Sequence, residues 1–107
     1  MKAKKFLSNR ELIEGWLLKE KESLESNDSY DVHMQYWFHS KNTNGFGVTL
    51  LVINAGEFHV MGDGKVSMYV EEGPGEIIFS SESTATTEQT LYQLFDNFKK
   101  KVFDEKT

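Results

Sequence analysis

Three histidines, His33, His39 and His59, are the first residues to test for chemistry: the chain has no cysteine, which leaves imidazole as its most versatile ligand and base. His33 and His39 belong to one alternating run and so to one face of one strand. Six residues at about 3.3 Å each set them roughly 20 Å apart, too far to share an ion. His59 can approach only one of them, so neither a metal site nor a bound cofactor is expected. Glu57, His59 and Tyr69 share a parity on neighbouring strands, and a carboxylate beside a histidine is an acid-base pair in principle. With no thiol and no G-x-S-x-G elbow, that pair has no nucleophile to activate, and the expectation is a protein without enzymatic activity. Gly45-Phe46-Gly47 opens a strand instead of joining a strand to a helix, which is not the setting in which backbone N–H groups cradle a phosphate.

Charge narrows the partner classes. The 107-residue chain carries a formal charge of -5, and of its twelve basic residues all but Arg10 are lysine. Phosphate binding calls for a basic stripe and arginine forks, so direct nucleic-acid binding is not expected. No apolar run approaches the ~20 residues of a membrane span, and the N-terminus lacks the apolar stretch of a secretory signal. The expected setting is the cytoplasm.

The elements that position these residues follow from periodicity. Phe46, Val48, Leu50, Val52, Phe58, Val60, Val66, Met68 and Val70 all stand on even positions in three runs separated by Asn54-Ala55-Gly56 and Gly62-Asp63-Gly64. This is the period of strands with one buried face. A first strand is expected over 30–39, with Tyr30, Val32, Met34, Tyr36 and Phe38 inward, and a short fifth over 76–80 after Gly73-Pro74-Gly75. Residues 81–87 read as a polar connector. Residues 1–7 read as a flexible basic arm, and Ser8 with Glu11 as a capping box, with Leu7 and Leu12 as its staple. A helix then runs to about Leu24 with Leu12, Ile13, Trp16, Leu17 and Leu24 near one face, and Gly15 offers a close helix-to-sheet contact. Thr86 with Gln89 forms a second box before a helix whose stripe is Leu91, Leu94, Phe95, Phe98 and Val102. The fold class is α+β: one domain over 1–107, a five-stranded antiparallel meander in the order 1-2-3-4-5, with both terminal helices on its even face.

Two surfaces remain to carry function. One end of the meander collects Asp28, Asp31, Glu57, Glu71, Glu72 and Glu76, with Lys41 and Lys65 at the other; such a rim could bind a cation, meet a basic protein or imitate nucleic-acid phosphate. The alternative is a solvated rim, partly neutralised if the last helix brings Lys99, Lys100 and Lys101 there. The odd face carries Trp37, Leu51, Ile53, Met61 and Tyr69, an apolar set that marks a partner or oligomer surface unless a helix or the curl of the sheet covers it. The expected function is a small acidic protein-binding module, an inhibitor or adaptor of the kind phages and mobile elements carry. The alternatives are a ligand-binding or enzymatic domain with a pocket between helices and sheet, and a structural homodimer.

Overall fold

The computed structural model describes residues 9–28, 30–38, 46–62, 64–73 and 75–104, without the side chains of 27, 28, 37, 38, 103 and 104. The order is α1 (Arg10–Asp28), β1 (Val32–Phe38), β2 (Phe46–Val52), β3 (Gly56–Met61), β4 (Lys65–Glu71), β5 (Ile77–Thr84) and α2 (Glu88–Asp104). The five strands form one antiparallel sheet in the order β1-β2-β3-β4-β5, flanked by the two helices, as the alternation requires.

Parity sets the layers. Even residues of β2, β3 and β4 are buried together with Ile13, Leu17 and Leu24 of α1 and Leu91, Phe95, Phe98 and Val102 of α2. Phe58 is the hinge of that layer. Its ring lies 6.4 Å from Trp16, 4.9 Å from Phe95 and 5.6 Å from Phe98, so both helices rest on the same side of the sheet. Offset and edge-on ring pairs of this kind add about 0.5–1.5 kcal/mol each beyond the area they bury. Gly56 is what lets α2 come so close. A Cβ there would collide with the carbonyl oxygen of Tyr69 and stand 3.1 Å from the Phe98 ring. The β2–β3 turn uses Asn54 at φ 62°, a left-handed conformation that asparagine tolerates, closed by Ala55 N–H to the Val52 carbonyl at 3.0 Å.

Several local expectations move. Asn9, not Ser8, caps α1: its Oδ1 accepts from Leu12 N–H at 3.1 Å, while Ser8 and Leu7 lie outside the described residues. α1 runs to Asp28, one turn beyond Leu24, and Leu12 is exposed. Gly15 is exposed with nothing within 4 Å of an added Cβ, so it makes no close contact with the sheet. α2 is capped by Thr87, whose Oγ1 accepts from Thr90 N–H at 3.0 Å, one residue later than the Thr86 box. β1 begins at Val32, and Ile53 N–H donates to the Asp31 carbonyl at 2.9 Å just before it; Tyr36, expected inward, is 48% exposed, and His39 lies outside the described residues.

The largest departure is β5. It extends through Ser81, Ser83 and Thr84, which the sequence assigns to a connector, and it is entered through a register shift at Val70/Glu71. Glu71 stands opposite Ile77 and Val70 opposite Phe79, leaving Ile78 as the extra residue of a bulge. The even residues of β4 therefore face odd residues of β5. Phe79, Ser81 and Ser83 turn toward the helices, and Ile78, Ser80, Glu82 and Thr84 are exposed.

Candidate functional site

The odd face of β2, β3 and β4 has neither helix on it, and its side chains form two linked groups. Near the end where β3 begins, Glu57 stands opposite Tyr69 in the register. The Tyr69 hydroxyl donates to the Glu57 carboxylate. Its pKa is raised, first by partial burial, then by the charges of Glu57 and Glu71, and then by that hydrogen bond. A concavity of about 390 Å3 opens here, lined by Glu57, Ser67, Tyr69, Ile77, Ser80 and Glu82 among others.

The second group is built around His59. Its register partner Thr49, 2% exposed, places Oγ1 at 2.5 Å from Nδ1, and Met61 places Sδ at 2.9 Å from Nε2. A thioether accepts but does not donate, which assigns the proton to Nε2 and makes Nδ1 the acceptor of the Thr49 hydroxyl. Burial lowers the His59 pKa, and the charge of Glu57 opposes that shift. Gly47 makes room for the arrangement: a Cβ there would lie 3.1 Å from His59 Cε1 and 3.2 Å from Met61 Sδ. Beside it lies a wider concavity of about 510 Å3, lined by His59, Met61, Lys65, Ser67, Glu82 and Thr84 among others. Ser67 and Glu82 line both, so the two openings meet along β4 and β5.

The residues assigned from sequence fall as follows. Glu57, Tyr69 and Glu71 come together, and Met61 belongs to the His59 group. Leu51 and Ile53 lie on β2 and in its turn, half-buried, as are Met61 and Tyr69. Trp37 pairs with Gly47 in the register, and its side chain lies outside the described residues. Among the described residues the most exposed hydrophobic side chains of the sheet are Ile77 at 58%, Tyr36, which was expected inward, and Ile78 at 40%; Ile77 and Ile78 were not assigned. At the acidic end, Glu71 Oε1 accepts from Gly75 N–H at 3.1 Å, Glu72 N–H donates to the Glu76 carbonyl at 2.9 Å, and Asp31 lies 3.3 Å from His33 Nε2. The rim is thus partly spent on its own turn. Among the described residues no three His, Asp or Glu side chains gather in a way that could hold a metal ion, and the Asp28 side chain lies outside those residues.

α2 does run back toward the acidic end, with Phe98 against Gly56. Its first lysine turns to the helix side: Lys99 Nζ lies 3.5 Å from Glu20 and 3.7 Å from Asp96, while Lys101 Nζ sits 5.0 Å from the Phe79 ring centroid. A concavity of about 260 Å3 lies at the helix seam, bounded by Trp16, Glu20, Tyr92, Phe95 and Asp96, while Phe98 is packed in the core. Sequence reasoning missed Thr49, Ser67 and Glu82. Gly47 was the one available signal, since a glycine inside a strand often marks a close approach. No described helix is long and apolar enough to cross a membrane. Compared with family models, curated proteins and solved structures, the chain matches none.

Proposed function

We propose that the protein is a small acidic binding module, an adaptor or inhibitor of the cytoplasm, that docks a basic protein surface with the odd face of its sheet. The observation that carries this reading is the Glu57–Tyr69 pair, set in an open concavity on a face with no helix across it and within the field of Glu71. Tyrosine supplies rigid area at low entropy cost, and the flanking carboxylates steer a cationic partner. An enzymatic reading is less well supported, because His59 has one ring nitrogen against Thr49 and the other against Met61, and Thr49 is too buried to meet a substrate.

The test is capture of a partner on immobilised protein from lysate of the native host, followed by association kinetics. Reversal of Glu71, Glu72 and Glu76 to lysine is expected to slow association at low salt and to move the unfolding midpoint only slightly, since the hydrogen bond lost from Glu71 to Gly75 N–H is solvent-exposed and exposed charges add little to stability. An unchanged on-rate would return these residues to turn chemistry.

A further inference from the structure

Resting on that reading, we infer that β5 is the docking edge, and that its occupant is an extended, lysine-bearing segment of the partner, added as a sixth strand. β5 is the longest strand, ends the sheet and pairs only with β4 among the described residues. Its hydrogen-bond phase is fixed at one end by Ala85 N–H to the Gly64 carbonyl at 2.8 Å. Bonded and non-bonded pairs alternate along an antiparallel ladder. Ser83, Ser81 and Phe79 therefore exchange their bonds with β4, and Ser80, Glu82 and Thr84 aim N–H and C=O at the open side. Natural edges are blunted by lysine, proline or strong bulges. β5 has neither lysine nor proline, its bulge is confined to its start, and Ile77 and Ile78 stand exposed there.

Charge chooses the occupant. Between Lys65 and Lys99 the chain carries Glu71, Glu72, Glu76, Glu82, Glu88 and Asp96 and no lysine, arginine or histidine. A second copy would bring this flank against itself, whereas a basic strand complements it, with main-chain bonds giving affinity and alternate side chains giving choice. Its outward side chains would share the face of Glu82, Tyr69 and Glu57.

The experiment adds a synthetic peptide of alternating lysine and valine, matched in length to β5, to the isotope-labelled full chain at millimolar concentration. Amide exchange at Ser80, Glu82 and Thr84 is expected to slow by about tenfold or more, with β1 unchanged. Ser80→Pro removes only an outward N–H, so it should preserve the spectrum of the free protein and abolish the protection. Equal protection by a proline-interrupted peptide of the same charge overturns the inference, as does protection at β1 or nowhere. So does a free protein that sediments as a dimer with these amides already protected, or a monomer whose protection disappears when residues 1–8 are removed. The face itself is scored apart from the edge. If capture of the lysate partner depends on Glu71, Glu72 and Glu76 but survives Ser80→Pro, the docking face stands and the strand addition falls.

Discussion

Thr49 Oγ1 and His59 Nδ1 meet at 2.5 Å across the β2–β3 register, on the side of the sheet away from the helices. The pair makes pH a reporter of this face. Burial holds the folded pKa of His59 below the 6.5 of an unperturbed histidine. As pH falls through 6.5 the unfolded chain takes up the proton first, so the contribution of His59 is complete above that value and is lost toward the lower folded value. His59→Gln should flatten the fall in unfolding free energy between about pH 7.5 and about pH 5 relative to the parent chain. Equal slopes would mean that the ring titrates alike in both states.

Two glycines separate a crowded side chain from a crowded backbone. Gly47→Ala presses on His59 and Met61, which can shift, and is expected to cost about 1–3 kcal/mol. Gly56→Ala meets the Tyr69 carbonyl, which cannot retreat without breaking the β3–β4 ladder, so its cost should be the larger of the two. Denaturant midpoints at constant m-value compare them. The reverse order would mean that the Tyr69 carbonyl yields to an added methyl more readily than His59 and Met61 do.

Tyr69 and Phe58 lie on opposite sides of one sheet and should fail in opposite assays. Tyr69→Ala is expected to weaken partner binding by roughly 2 kcal/mol with a small change in midpoint. Phe58→Ala empties the space between both helices and should cost about 3–5 kcal/mol of stability. Loss of stability in both, with affinity untouched in the first, would leave the odd face without a partner.

Duplex DNA should not be shifted by the isolated protein near physiological salt. Its charge of -5 repels phosphate, and Lys99 is already engaged with Glu20 and Asp96. A salt-sensitive, submicromolar shift would refute this and any imitation of phosphate by the rim.

The sheet was legible where one face is apolar and illegible where neither is. Phe46 through Val70 state their parity outright, and the α2 stripe states its period. The caps missed by one residue, because Ser8 and Asn9, or Thr86 and Thr87, offer the same kind of oxygen and only the chain's path decides between them. β5 was cut short because Ser81-Glu82-Ser83-Thr84 has no hydrophobic alternation; its extended form is imposed by the open edge of β4, a tertiary effect that local propensity does not carry. The Thr49–His59 pair depends on register, which the turn at Asn54 fixes only once β2 and β3 have paired.

Every strand in this sheet lies beside its neighbour in the chain, yet the two helices that cover it come from opposite ends. Trp16 reaches Phe95 at 5.3 Å and Tyr92 at 5.2 Å, and Glu20 reaches Lys99 across 79 residues. Hairpins between adjacent strands close short loops and form early, whereas the helix seam closes nearly the whole chain in a single loop and gains most once the sheet exists. The seam is then a late lock on kinetic persistence. In a chevron, Trp16→Leu should raise the unfolding limb, leaving the refolding rate close to that of the parent chain.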